Sequence, residues 1–104
     1  MYAAIRQYEM GAGSVGDVMR IVNEEFADTL SRQPGFVGYE VVASGSDEIV
    51  ALTVFEDEQS AVESNELAAR FVGERLAQFE LNLVTAMSGE VGVSRFDSRA
   101  LQRQ

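Results

Sequence analysis

Five polar side chains stand on otherwise apolar extended stretches, and a sixth stands in a polar run of a helical one. Arg6 and Tyr8 lie in the first extended stretch, Tyr39 and Glu40 in the second, Thr53 in the third, and Asn65 in the helical stretch that follows. A carboxylate withdrawn from water becomes a general base, which makes Glu40 a candidate catalytic residue with Tyr39 beside it. Arg6, Tyr8, Thr53 and Asn65 are candidates for holding a ligand by hydrogen bonds. The same residues also have a purely structural reading. Arg6 and Glu40 then serve as interface or edge polar groups, the tyrosines as amphipathic packing residues, and Asn65 as a helix cap.

The missing residue types bound the chemistry further. The 104 residues include no cysteine, so disulfides and thiolate nucleophiles are excluded, and no histidine, the commonest general base and transition-metal ligand. Tryptophan is absent too. Glu56, Asp57 and Glu58 are contiguous and diverge, so no metal site is expected, and a chelator should leave stability unchanged. A formal net charge of −9 without a basic patch argues against nucleic acid and anionic membrane as partners. No run approaches the length of a membrane span and the N-terminal residues do not read as a secretion signal, so a cytoplasmic protein is expected.

These side chains need elements to position them. The stretch Pro34-Gly35-Phe36-Val37-Gly38-Tyr39-Glu40-Val41-Val42 organises the chain: a turn released directly into a strand. Before it, residues 2–9 suit a first strand, with Ala3 and Ile5 on one face and Tyr2, Ala4, Arg6 and Tyr8 on the other. Gly11-Ala12-Gly13-Ser14-Val15-Gly16 is a literal G-x-G-x-x-G, yet the strand before it carries Arg6, Gln7 and Glu9, unlike a doubly buried dinucleotide-binding strand. A strand-to-helix loop with Ser14 as N-cap is the better reading. Val15, Val18, Met19, Val22, Phe26 and Leu30 then define one helical face from Val15 to about Arg32.

Strands are expected over Phe36–Ala43 and Glu48–Phe55, joined by a tight turn into an antiparallel hairpin. Both are apolar on both faces, which implies a sheet covered on both sides. The helical region to about Glu80 reads as two pieces, with Ser64 or Asn65 capping the second and Gly73 allowing close approach to the sheet. A connector over Leu81–Ala86 leads to a last strand near Met87–Arg95. The order βαββαβ puts both helices on one sheet face, so the other face calls for a partner, and a homodimer packed sheet to sheet would supply it.

Pro34-Gly35-Phe36-Val37-Gly38-Tyr39-Glu40-Val41, Val54-Phe55-Glu56-Asp57, Ala61 to Ala69 and Gly89-Glu90-Val91 together resemble the antibiotic biosynthesis monooxygenase-like group of dimeric α+β barrel proteins. The resemblance implies an α+β, ferredoxin-like subunit with an antiparallel sheet over residues 1–95, followed by a polar tail over 96–104 that is frayed or draped over a partner. It further implies a cofactor-free monooxygenase acting on a small aromatic or quinol-type compound. Glu40 would then make the substrate anion that reacts with oxygen, and Tyr8 or Tyr39 would orient a phenolic ring. The family members that use histidine and tryptophan in the cleft have no counterpart residues here. The alternative is therefore a non-catalytic homodimeric module that binds a small apolar ligand or serves as an assembly unit.

Overall fold

The computed structural model describes residues 1–97. Its elements are β1 (Tyr2–Met10), α1 (Val15–Glu25), α2 (Ala27–Ser31), β2 (Phe36–Ser44), β3 (Glu48–Phe55), α3 (Glu58–Arg75), a 3-10 turn (Ala77–Phe79) and β4 (Leu81–Glu90). The four strands form one antiparallel sheet in the order β2-β3-β1-β4. This is the expected ferredoxin-like α+β arrangement, with both crossovers made by helices.

Local chemistry sets the turns. Pro34 and Gly35 occupy the middle of a turn closed by the Phe36 amide on the Gln33 carbonyl at 3.2 Å, and Gly35 has φ +79°. Proline followed by a positive-φ glycine is the signature of a type II turn. The Glu56 amide donates to the Gly35 carbonyl at 2.8 Å, which ties this turn to the end of β3. Asp57 caps α3, its Oδ1 accepting from the Ser60 amide at 2.8 Å, and that bond holds its carboxyl below the usual aspartate range. Ser14 caps α1 as expected, accepting from the Asp17 amide at 3.2 Å.

The glycine-rich loop serves packing. The Gly11 and Ala12 amides both donate to the Phe79 carbonyl at 3.1 Å, so these donors do not face a phosphate. Gly13 has φ +78°, and a Cβ there would lie 2.6 Å from Cδ1 of Phe79. Gly13→Ala combines a left-handed backbone with a clash in the core and should cost about 1–3 kcal/mol. Urea denaturation would register this as a lower midpoint at unchanged slope.

Several boundaries differ from the sequence reading. The helix expected to run from Val15 to about Arg32 is broken at Phe26 (φ −122°, ψ −40°), where α1 gives way to α2. The break coincides with insertion of the Phe26 ring between Phe71, stacked at 4.7 Å, and Tyr39, edge-on at 6.0 Å. Conversely, α3 is one continuous helix rather than two pieces, and neither Ser64 nor Asn65 is a cap. Ser64 is buried mid-helix and donates to the Ala61 carbonyl at 2.7 Å. Small residues, Ala61, Ser64 and Ala68, make up the buried side of α3, while Gly73 is exposed with open space around it. The close approach expected at Gly73 therefore occurs at these alanines and this serine instead.

The last strand begins at Leu81 and ends at Glu90, so the segment read as a connector is strand and the residues after Glu90 are not. Val91 donates to the Met1 carbonyl at 2.9 Å, and residues 91–97 continue without regular structure. The expected frayed or draped tail falls largely outside the described residues. No helix among the described residues is long and apolar enough to cross a membrane.

The helices cover one face of the sheet. Ala4, Arg6 and Met10 of β1 and Ile49, Ala51, Thr53 and Phe55 of β3 are buried beneath them, together with Val18, Ile21, Val22, Phe26 and Leu30. Burial along β3 alternates without exception, although its residues are apolar on both faces. The opposite face carries the rows Met87-Ile5-Leu52-Glu40 and Val50-Val42, with Ile5, Met87 and Val42 exposed. A bulge between Phe36 and Gly38 breaks the simple alternation expected in β2, so Phe36 packs on the core with Tyr39 and Val41.

Candidate functional site

Two hollows contain the candidate residues, one on each face of the sheet. The larger, of about 640 Å³, lies on the uncovered face beneath residues 91–96 and is lined by Ala3, Glu40, Leu52, Val54 and Phe96, among others, and also by Tyr39, which borders both hollows with its ring on the Phe26 side. Its roof is loose, with Val93 86% and Phe96 68% exposed. The smaller, of about 40 Å³, is a cleft between sheet and helices, lined by Arg6, Tyr8, Phe26, Tyr39, Phe71 and apolar neighbours. Volume favours the first and chemistry the second. The open groove offers an exposed carboxylate to water, whereas the cleft presents a buried cation to apolar walls.

Arg6 is 8% exposed, and its Nη1 donates to Oδ1 of Asn65 at 2.5 Å. This contact joins β1 to α3 across 59 residues of sequence and identifies Asn65 as an inward-facing group. Arg6 pairs with Ala51 across the sheet, which makes Thr53, opposite Ala4 and Tyr39, its diagonal neighbour on the same face. Arg6 Nε and Thr53 Oγ1 are both buried without a hydrogen-bond partner. A bulge between Gln7 and Tyr8 in the β1–β4 pairing lies beside this cluster. Bulges of this kind commonly re-aim side chains near sites.

Tyr39 is on the cleft side, where burial pushes its hydroxyl up to about 12, opposed by the nearby Arg6 charge. It is therefore a neutral donor at physiological pH and not a base. In the unfolded chain Tyr39 ionises near its ordinary value of 10.0, in the fold near 12. The fold holds the proton longer, so stability is fully present below pH 10 and declines as pH rises toward 12, by on the order of 2–3 kcal/mol. Tyr39→Phe should remove that part of the alkaline decline, measured by denaturation at stepped pH, together with one late-titrating phenolate absorbance.

The sequence-predicted residues thus divide. Arg6, Tyr8 and Tyr39 line the cleft, Asn65 is bonded to Arg6, and Thr53 flanks it. Glu40 does not join them. Successive residues of a strand point to opposite faces, and Glu40, opposite Leu52, is exposed on the uncovered face. The expected pairing of a desolvated Glu40 with Tyr39 is therefore not what β2 provides. Phe26 and Phe71 line the cleft but read in the sequence only as core residues, since nothing in helical spacing separates a cleft wall from a packed interior.

The model of the antibiotic biosynthesis monooxygenase family matches residues 1–71. The chain belongs to that family. No curated protein matches the sequence. Among solved structures, the fold is similar to a dimeric ferredoxin-like protein from an uncultured marine organism, at 13% identity and TM-score 0.71, covering 92% of this chain and 98% of that one. It is similar to a monooxygenase of Streptomyces coelicolor in complex with nanaomycin D, at 16% identity and TM-score 0.65, with 92% and 91% covered. It is also similar to SnoaB, a cofactor-independent oxygenase of Streptomyces nogalater, in a variant with one asparagine changed to alanine, at 19% identity and TM-score 0.58, with 91% and 94% covered. At these identities the structural likeness speaks for the fold, while the family match covers the strands and the helix that carry Arg6, Tyr39, Thr53 and Asn65.

Proposed function

We propose that this family member is a cofactor-free monooxygenase that takes a small aromatic or quinol-type compound into the cleft between sheet and helices. The observation that carries this reading is the buried Arg6–Asn65 pair in an apolar setting. Such a reaction draws its electrons from the substrate: an anthrone's ring CH2 and O2 become C=O and H2O, while a quinol's two O–H groups and one ring C–H react with O2 to give a hydroxyquinone and H2O, one oxygen atom being retained and the other leaving as water. The cleft contributes apolar walls that exclude water, Tyr39 as a neutral hydrogen-bond donor, and Arg6 to stabilise negative charge on the substrate. The oxygenases of Streptomyces with this fold, one in complex with nanaomycin D, support the same reading.

Oxygen uptake with a panel of anthrone- and hydroquinone-type compounds tests it. Uptake matched by quinone formation and reduced at least tenfold in Asn65→Ala is expected. A specific observation favours the alternative, a non-catalytic binding module: with Phe26 stacked on Phe71 and Tyr39 edge-on, the cleft is nearly filled by its own side chains. Binding of such compounds without any oxygen uptake would establish the module. Under both readings we propose a homodimer joined through the uncovered sheet face, the arrangement that its apolar rows support.

A further inference from the structure

The cleft contains a cation and no acid. None of its lining residues is aspartate or glutamate. The ion pairs found among the described residues, Arg20–Glu24 and Arg75–Glu25, are both on the surface. Arg6 donates at Nη1 to a neutral amide, and its Nε and the hydroxyl of its diagonal neighbour Thr53 are buried without partners. Buried guanidinium groups are ordinarily paired with an anion, because desolvation of an isolated charge is costly. Among the described residues, none that lines the cleft supplies an anion. The base that the reaction class calls for is also missing from the cleft, since Glu40 is on the opposite face and Tyr39 keeps its proton.

We propose that the ligand brings the missing charge: the cleft selects compounds already ionised at neutral pH, acidic phenols or enols, and seats their oxyanion on the guanidinium of Arg6. This deepens the preceding reading and rests on its placement of the substrate in the cleft. Selection is by charge first and ring shape second. Arg6 acts as the counter-ion that keeps the substrate in its oxygen-reactive anionic form, and Asn65 positions the guanidinium. The present space of about 40 Å³ accommodates an oxyanion head, and the ring enters by displacing Phe26 or Phe71 from their stack. The net charge of −9 opposes non-specific capture of anions, so anion binding by this chain reports a local site.

The test measures binding of para-nitrophenol and of its neutral methyl ether, para-nitroanisole, by calorimetry. The phenolate is expected to bind at least tenfold more tightly than the ether, and affinity for the phenol should rise with pH as the phenol ionises. Arg6→Gln should abolish the difference and Arg6→Lys should keep part of it. Equal binding of phenolate and ether would overturn the charge selection while leaving the cleft a site for aromatic compounds. Phenolate binding unchanged in Arg6→Gln would place the anion elsewhere and overturn the assignment. Binding of neither probe, together with no oxygen uptake, would overturn both readings. Should Arg6→Gln fail to fold, the pH profile and the ether comparison on the unaltered protein still decide the matter.

Discussion

Replacing Phe55 by alanine is expected to remove about 3–5 kcal/mol of stability, the usual cost of deleting a large aromatic from a core. Phe55 is 0% exposed, pairs with Tyr2 of β1 and Phe36 of β2, and packs edge-on against the Phe36 ring at 5.8 Å. It stands where β3 ends and the capped start of α3 begins, so three elements and the Pro34-Gly35 turn close around it. A domain of this size has about 5–15 kcal/mol in total, so the variant should lose roughly a fifth of it or more. Chemical denaturation should show a much lower midpoint with unchanged slope. A loss under about 1 kcal/mol would mean that the centre of the core has been placed wrongly.

How legible the fold was can be judged from β3 and α3. The eight residues of β3 are a nearly continuous apolar run, are flanked by a tight turn and an acidic cap, and appear in the structure with the bounds the sequence implies. The α3 helix was misread as two pieces for a physical reason. Its sheet-facing side is built from Ala61, Ser64 and Ala68, and small residues give almost no hydrophobic contrast, although they let the backbone approach the sheet closely. The start of β4 was missed because pairing with β1, not local pattern, makes it a strand. Leu81, Leu83 and Val84 read as a connector until Met10 and Tyr8 are set opposite Leu81 and Leu83. The flip of Phe36 depends on one bulged residue, which no alternation count reveals.

Within the candidate site, residue types were legible but their pairing was not. Arg6 broke an apolar pattern and Asn65 read as a candidate cap, so both were visible, yet the contact between them spans the whole crossover architecture and exists only once β1 lies beneath α3. Tyr39 and Glu40 were adjacent in the sequence and seemed to cooperate. The period of the strand separates them by the thickness of the sheet. The same geometric rule that identifies which residues share a face therefore puts the Glu40 carboxylate on one face and the Arg6 cation on the other.

The second large effect concerns the uncovered face. Ile5 stands at its centre, in a row with Met87 and Leu52, and points away from the helices. In the proposed sheet-to-sheet dimer, Ile5→Glu places a carboxylate from each subunit in a desolvated interface, unpaired and close to its own symmetry mate. Leaving such charges buried without a partner costs about 3–5 kcal/mol, which weakens association by on the order of a hundredfold to a thousandfold. In the separated subunit the same side chain is solvated, so the fold and its far-ultraviolet spectrum should persist. Sedimentation should find the unaltered protein at twice its 11.4 kDa chain mass and the variant near that single mass. A folded variant that remains dimeric would place the interface elsewhere. An unaltered protein that sediments as a monomer at micromolar concentration would mean that the apolar rows of Ile5, Val42 and Met87 serve something other than a second copy of this chain.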